Sequence, residues 1–157
     1  MKIPMIPKVS TPTRVLVVDD SPTARAAIAS AIAAMGATLE VVGHASDQAS
    51  ALEACERLDP DIVTMDVHLG HDDGVEVTAA IMERSPRPIL IVTSSDHHDR
   101  ELIFRALEAG ALEVVSKLPH PDHPDYRPRH ERLLRTMLSL SKVPVVLRHR
   151  RHAHARA

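Results

Sequence analysis

The sequence alternates five short aliphatic runs with five segments of helical periodicity, and this alternation restricts the possible fold more than any other feature. The aliphatic runs are residues 14–18, 39–42, 62–65, 88–93 and 112–116. Unbroken runs of β-branched and other aliphatic residues are typical of strands that are buried on both faces. Strands that alternate strictly with helices predict a parallel sheet with right-handed crossovers.

The segments between the runs carry signals for the beginning and end of helices. Ser21 followed by Pro22 is typical of a helix N-terminus, and Gly36 is typical of a residue that ends a helix. We predict helices over residues 22–35, 47–58, 73–84, 96–109 and 129–141. A proline-rich loop over residues 119–128 precedes the last helix.

The core is expected to be aliphatic, because the chain has one phenylalanine, one tyrosine and no tryptophan. In the fourth helix, Leu102, Ile103, Ala106 and Leu107 recur at helical spacing and are expected to face inward. Residues 143–147 form a short apolar run that could be one more strand. A chain of 157 residues has the size of a single domain.

Five parallel strands of this kind most often take the order 2-1-3-4-5. We therefore predict an α/β fold of the flavodoxin-like type, a doubly wound five-stranded parallel sheet. In that order, strands one and three lie side by side at the switch point of the sheet, where ligands bind outside the carboxyl ends of the strands.

Acidic residues follow both of these strands. Asp19 and Asp20 follow the first strand, and Asp66 follows the third. Three carboxylates that converge at one edge are stable only if they are protonated or if a cation neutralises them. Oxygen ligands that are open to solvent suit Mg²⁺, which binds one or two carboxylates and keeps several waters. The sequence therefore predicts a magnesium site.

Two further strands end on residues that suit a phosphoryl group. Thr93 ends the fourth strand with a hydroxyl, and Lys117 follows the fifth strand with a positive charge. A carboxylate beside a bound metal can act as a nucleophile and form an acyl phosphate. The chain has no glycine-rich phosphate loop, so we expect a site for one phosphoryl group and not for a nucleotide.

Each residue also has a purely structural interpretation. Asp19 and Asp20 could cap the following helix, Lys117 could be a solvated lysine at a strand end, and Thr93 could reflect the preference of threonine for strands. The functional interpretation depends on all of these residues meeting at one edge of the sheet.

Four segments resemble the receiver domain of two-component response regulators. They are residues 15–25 (VLVVDDSPTAR), 61–74 (DIVTMDVHLGHDDG), 89–95 (ILIVTSS) and 109–117 (AGALEVVSK). The resemblance extends over roughly residues 13–141. The sequences of the matching segments are most similar to the receiver half of the chemotaxis protein-glutamate methylesterases. It implies a CheY-like fold within the flavodoxin-like class.

The resemblance also implies roles for the site residues. Asp66 would accept a phosphoryl group from a phosphohistidine on a sensor histidine kinase. Asp19, Asp20, Asp66 and the backbone carbonyl of His68 would hold Mg²⁺. Thr93 would be the switch hydroxyl, and Lys117 would sense the phosphate.

The sequence departs from the family pattern at two places that affect signalling. Leu69-Gly70 stand where the family usually has Met-Pro, which predicts a looser loop after Asp66. Val114 stands at the position of the family's aromatic switch residue, so an aromatic rotamer cannot report the signal. We expect the output to use a face formed by helix four, strand five and helix five.

The two ends of the chain differ from its body in composition. Residues 1–12 form a proline-containing extension without the apolar core of a signal peptide, which favours a cytoplasmic location without membrane contact. Residues 142–157 carry Lys142 and four arginines without any acidic residue. We interpret this tail as a linker, and nucleic-acid binding is not favoured because no aromatic stacking platform accompanies the arginines.

Three functional hypotheses follow. The first is a phospho-acceptor receiver in chemotaxis-type signalling, which stands alone or forms the regulatory half of a truncated or split methylesterase. The second is a phosphohydrolase with an aspartyl-phosphate intermediate, but His68 occupies the position where such enzymes usually carry a second acid. The third is a receiver that acts only as a docking module. No nucleophile turn of the GxSxG kind is present, so we do not expect esterase activity.

Overall fold

The computed structural model describes residues 11–34, 36–94 and 99–145. The main strands are β1 (Thr13–Val18), β2 (Leu39–Ala45), β3 (Ile62–Met65), β6 (Ile89–Thr93) and β7 (Glu113–Ser116), and β4 (His68–Leu69) and β5 (Asp72–Asp73) are two-residue strands. The helices are α1 (Pro22–Ala33), α2 (Gln48–Leu58), α3 (Gly74–Arg84), α4 (Arg100–Ala109) and α5 (Tyr126–Leu140), with a short 3₁₀ helix at Gly36–Thr38.

The main strands form one parallel sheet in the order β2-β1-β3-β6-β7. This order is the predicted 2-1-3-4-5, and it confirms the doubly wound α/β fold. β4 and β5 lie outside this sheet as a separate antiparallel pair. Among the described residues, no helix has both the length and the apolar character that crossing a membrane requires.

The sheet separates two hydrophobic cores, because successive side chains of a strand point to opposite faces. Val15 and Val17 face the core formed with α1 and α5, whereas Leu16 and Val18 face the core formed with α2, α3 and α4. The strands are therefore buried on both faces, as their unbroken aliphatic runs predict.

Most helix beginnings follow the capping signals of the sequence. The side chain of Ser21 accepts a hydrogen bond from the backbone N–H of Ala24, and Pro22 is the first residue of α1. Asp47 caps α2 in a reciprocal capping box with Ser50. Asp73 caps α3, and Asp99 caps α4. Each cap satisfies backbone N–H groups that have no partner within the helix.

The fourth helix begins later than predicted and the last helix begins earlier, whereas α4 ends at Ala109 as predicted. The predicted start of the fourth helix at residue 96 falls among residues 95–98, which lie outside the described residues, and α4 begins at Arg100 behind its cap. α5 begins at Tyr126 and not at residue 129. Pro128 is thus the third residue of the helix, where its missing N–H costs nothing, because the first N–H groups of a helix have no acceptor within it.

Two further expectations differ from the structure. Leu107 was expected to face inward, but 43% of it is exposed, because the core side of α4 is filled by Leu102 and Ala106. Residues 143–145 are not in a strand, and residues 146 and 147 lie outside the described residues. Instead of pairing, Val145 packs against the core on the α2, α3 and α4 side.

The loop after Asp66 forms a small hairpin instead of the looser loop that we expected. His68 pairs with Asp73, and Leu69 pairs with Asp72. Gly70 has a φ of 63° at the turn of this hairpin, a conformation that residues with a Cβ rarely adopt. This hairpin connects the end of β3 to the beginning of α3.

Candidate functional site

The two central strands bring the three acidic residues together. The register of β1 and β3 pairs Val18 with Met65, so the residues that follow them, Asp19 and Asp66, are adjacent at the edge of the sheet. The backbone N–H of Asp66 donates to the carbonyl of Val18 at 2.9 Å. One carboxylate oxygen from each of Asp19, Asp20 and Asp66 lies within 4.8 Å of the other two. Asp19 and Asp66 are buried, and Asp20 is exposed.

Lys117 joins this cluster from the far edge of the sheet. Its Nζ lies 2.9 Å from Oδ2 of Asp19 and 3.1 Å from Oδ2 of Asp66. Its backbone N–H donates to the carbonyl of Thr93 at 2.9 Å, which fixes the ends of β6 and β7 against each other. The lysine therefore bridges the two buried carboxylates.

The cluster is electrostatically unbalanced. Burial raises the pKa of Asp66 above its ordinary value, and the charge of Asp19 raises it further; the lysine and a backbone hydrogen bond from His68 only partly oppose them. For Lys117, burial lowers the pKa, but hydrogen bonds to Asp19 and Asp66 outweigh it, so the pKa is raised. Ionisation of Asp66 is therefore less favourable in the folded protein than in water, in spite of the contact with Lys117.

The position of Asp19 is fixed by groups at the beginning of α1. Its Oδ1 accepts a hydrogen bond from the backbone N–H of Ser21 at 2.9 Å, and its backbone N–H donates to the carbonyl of Ala45 at 3.0 Å. Nη1 of Arg25 donates to the carbonyl of Asp19 at 2.7 Å. No role was predicted for Arg25. Its place one turn into the helix after Ser21 is the feature of the sequence that could have suggested its contact with Asp19.

Gly74 packs directly on the backbone of Asp66. A Cβ at this position would lie 1.9 Å from the carbonyl oxygen of Asp66, which is far below any contact distance. The N–H of Gly74 donates to the carbonyl of Val67 at 2.7 Å. The glycine after Asp73 is therefore required by close backbone approach and not by its own φ angle. The sequence analysis used Gly74 only as part of a motif.

The tandem aspartates of the hairpin connect it to three helices. Oδ2 of Asp72 accepts a hydrogen bond from the backbone N–H of Gln48 at the beginning of α2. Asp73 caps α3 through Oδ1, and its Oδ2 accepts a hydrogen bond from Nη2 of Arg105 on α4 at 2.9 Å. The segment that follows Asp66 is thus anchored to α2, α3 and α4 together.

The remaining predicted residues lie around the same edge of the sheet. Thr93 is buried at the end of β6, the strand that pairs with β3. His68 is exposed in β4, two residues after Asp66. The structure therefore places Thr93, Lys117 and the three aspartates at one end of the sheet, as the sequence predicts. The assignment of a role to each of them remains a prediction.

The cluster fits a hard divalent cation. Oδ1 of Asp66 is buried and has no hydrogen-bond partner among the described residues, and such an atom is costly unless a ligand pairs with it. It belongs to a set of three carboxylates, one of which is open to solvent. Oxygen ligands with room for waters are what Mg²⁺ prefers.

Comparison with known families agrees with this geometry. The family of the response regulator receiver domain matches residues 15–124, which is most of the chain. The chain belongs to the response regulator receiver family. Its site residues Asp19, Asp20, Asp66, Thr93 and Lys117 all lie within the matched range.

The individual relatives include protein-glutamate methylesterases/protein-glutamine glutaminases. The chain is 43% identical over 138 residues to protein-glutamate methylesterase/protein-glutamine glutaminase 3 of Hahella chejuensis, a match that covers 87% of this chain and 39% of the relative. The chain therefore spans about two fifths of the length of the curated relatives that it matches.

Solved structures give the same assignment. The response regulator domain of Thermotoga maritima CheB is 30% identical, with a TM-score of 0.75 over 85% of this chain and 98% of that chain. A structure of the P1 domain of CheA3 in complex with CheY6 from R. sphaeroides matches at 25% identity, with a TM-score of 0.67 over 83% of this chain and 99% of that chain. The receiver fold is thus shared with the response regulator domain of CheB.

Proposed function

We propose that this receiver domain accepts a phosphoryl group on Asp66 in the presence of Mg²⁺. In this reaction, one carboxylate oxygen of Asp66 forms a bond to phosphorus, and the bond from phosphorus to the imidazole nitrogen of the donor breaks. The product is an acyl phosphate on Asp66 and a dephosphorylated histidine on the donor. Asp66 suits this role because its Oδ2 contacts Nζ of Lys117 and its Oδ1 has no hydrogen-bond partner among the described residues.

The other residues of the cluster would bind and orient the phosphoryl group. Asp19, Asp20, Asp66 and the backbone carbonyl of His68 would hold Mg²⁺, which neutralises charge on the phosphoryl oxygens when it is bound. Nζ of Lys117 would pair with a phosphoryl oxygen in place of one of its present carboxylate partners. The hydroxyl of Thr93 would donate a hydrogen bond to another.

We infer the partners from the relatives and from the surface. The phosphoryl donor would be the phosphohistidine of a sensor histidine kinase in chemotaxis-type signalling in the cytoplasm, in line with the CheA3 and CheY6 complex. The protein that receives the signal would bind to the face formed by α4, β7 and α5. On α4, Phe104 and Leu107 are neighbours at i and i+3, and both are exposed, which is typical of an interaction surface.

The extent of the match favours a regulatory role. The curated relatives are methylesterases, and the aligned part is about two fifths of their length. We propose that residues 13–141 act as a regulatory module, with residues 1–12 as an extension and residues 142–157 as a linker. Control of an esterase domain, on the same chain or on another, would be its function, and esterase activity is not assigned to these residues.

The observation that carries the proposal is the contact of Lys117 with both buried carboxylates beside an unpartnered oxygen of Asp66. Beryllofluoride with Mg²⁺ tests it, because this anion imitates a phosphoryl group on a carboxylate. We expect amide NMR shifts at Thr93 and Lys117 in the wild-type protein and none in Asp66→Asn. Absence of shifts in the wild-type protein, or equal shifts in the variant, would overturn the proposal.

A further inference from the structure

β7 is the outermost strand at one side of the sheet in the described part of the chain. Among the described residues, β7 pairs with β6 on one side and with no strand on the other. All of its residues are half-buried, so helices cover its faces without closing its edge. An edge strand presents backbone N–H and C=O groups that can pair with a further strand.

A groove runs along this open edge. It has a volume of about 250 Å³, and it lies between the whole of β7 and one face of α5. The residues from β7 are consecutive, and those from α5 follow the i, i+3, i+4, i+7 spacing of a single helix face. The lining residues are Glu113, Val114, Val115 and Ser116 from the strand, and Arg129, Arg132, Leu133 and Thr136 from the helix.

A second cavity continues the groove along α5. It has a volume of about 280 Å³ and shares Glu113, Arg132 and Thr136 with the first, and it adds Arg135. The two cavities are therefore adjacent and form one channel between β7 and α5. A channel that is lined by all four residues of a strand suits an extended segment better than a compact small molecule.

The channel carries an excess of positive charge. Arg129, Arg132 and Arg135 are all exposed, and in the described part of the chain no carboxylate lies within ion-pair distance of them. By contrast, Arg127 on another face of α5 pairs with Glu131. Glu113 is the one acidic residue that lines the channel. Uncompensated arginines beside an apolar wall favour a partner that is both acidic and apolar.

We propose that β7 receives an extended acidic segment of a partner protein, which adds to the sheet as a further strand. Its backbone would pair with the edge of β7 that faces away from β6. Because side chains alternate along a strand, its apolar side chains would pack on Val114 at one face of the sheet, and its carboxylates would pair with the arginines of α5 at the other. The proposal deepens the output function by naming the kind of partner that the face of α4, β7 and α5 takes. The chain's own tail does not suit the groove, because Arg148, Arg150 and Arg151 would meet the arginines of α5.

The test uses two synthetic peptides with the full-length protein. One peptide alternates valine with glutamate over seven residues, and the other alternates valine with lysine. We expect the glutamate peptide to shift the amide signals of β7 and to slow their hydrogen exchange, and the lysine peptide to have no effect. Arg132→Glu should weaken binding of the glutamate peptide about tenfold, whereas Arg127→Glu, the matched control outside the groove, should leave it unchanged.

Several results would overturn the strand-addition proposal. They are equal binding of the two peptides, amide shifts confined to other elements, or equal loss of affinity in both arginine variants. A protein that is dimeric in solution with its β7 amides already protected would show that a second copy fills the groove. The titration with the glutamate peptide is repeated with the Asp66→Asn variant and without a phosphodonor. If the peptide still binds, strand addition at β7 does not depend on phosphorylation of Asp66, and the two proposals can fail separately.

Discussion

Two buried side-chain oxygens in the described part of the chain have no hydrogen-bond partner, Thr64 Oγ1 and Asp66 Oδ1. They differ in their surroundings. Thr64 lies in the middle of β3 between Val17 and Leu90, which belong to the core beside α1 and α5. Asp66 lies at the end of the same strand, beside two other carboxylates and a lysine. A polar atom without a hydrogen-bond partner lowers the stability of the fold when it lies in an apolar core. In a charged cluster at the edge of a sheet, such an atom indicates a site for a ligand.

Replacement of Thr64 by valine is expected to stabilise the fold. The change removes a hydroxyl that gains no hydrogen bond from its burial, so the free energy of unfolding should rise by about 1 kcal/mol. Urea denaturation measures the change. Thr78→Val is the matched control, because the buried hydroxyl of Thr78 donates to the carbonyl of Gly74 at 2.8 Å and its loss should destabilise. Equal effects of the two substitutions would contradict the interpretation.

Replacement of Asp66 by asparagine is expected to raise the melting temperature at neutral pH without Mg²⁺. The folded protein raises the pKa of Asp66, so the unfolded chain gives up this proton at lower pH than the folded chain does. The contribution of Asp66 to the free energy of unfolding of the wild-type protein therefore falls as the pH rises from 3.8, the ordinary pKa of the carboxyl group, to the raised pKa in the folded protein.

The pH dependence provides the control for this prediction. The advantage of Asp66→Asn should shrink as the pH is lowered toward 3.8 and should be lost below it, where Asp66 is protonated in both states. Thermal melting at a series of pH values measures the difference. An advantage that stays constant over this range, or a lower melting temperature at neutral pH, would show that burial and the charge of Asp19 do not raise the pKa of Asp66.

At the scale of elements, the beginning of α3 sets the backbone of the acceptor residue. Gly74→Ala would place a Cβ against the carbonyl oxygen of Asp66, and relief of this overlap is expected to cost about 1–3 kcal/mol and to move Asp66. Chemical denaturation measures the stability, and beryllofluoride titration measures the site. Both should be impaired.

Gly36→Ala is the matched control for this prediction. Gly36 has a φ of 68° and open space around its Cα, so alanine there strains the backbone without touching the site. We expect a loss of about 1 kcal/mol and an unchanged affinity for beryllofluoride. If Gly36→Ala impairs beryllofluoride binding as much as Gly74→Ala does, the close packing on Asp66 is not the cause.

The elements that could be predicted from the sequence are those with strong periodicity or strong caps. The main strands are long aliphatic runs, and Ser21-Pro22 fixes the beginning of α1, so both are confirmed. The order of the sheet follows from strict alternation, and this order alone places Asp19, Asp20 and Asp66 at one edge. The acidic cluster was thus predictable because it depends on topology and not on side-chain detail.

The features that were missed depend on local contacts without a periodic signal. The hairpin of β4 and β5 has only two residues in each strand, which is too short for any alternation to appear. α5 begins at Tyr126, before Pro128. Because Pro128 was predicted to lie in a loop, the predicted beginning of this helix was too late. The contacts of Arg25 and Gly74 with the acidic residues arise from backbone approach in three dimensions, which spacing alone does not encode.

At the scale of the whole molecule, the site and the proposed output face lie on connected elements. Asp73 at the end of the hairpin contacts Arg105 of α4, and Lys117 at the end of β7 contacts Asp66. Asp66 is therefore connected to β7 directly through Lys117, and to α4 through the hairpin that ends at Asp73. Because Val114 replaces the aromatic switch residue of the family, these two connections are the ones through which we expect phosphorylation to be reported.

The most direct test of the central claim is to locate the phosphoryl group after incubation with a phosphorylated histidine kinase or a small phosphodonor and Mg²⁺. Borohydride reduction of the acyl phosphate, followed by peptide mass spectrometry, identifies the modified residue. We predict modification of Asp66 alone, with none in Asp66→Asn or after removal of Mg²⁺ by a chelator. Phosphoryl uptake that survives in Asp66→Asn, or no uptake by the wild-type protein from any donor, would contradict the account.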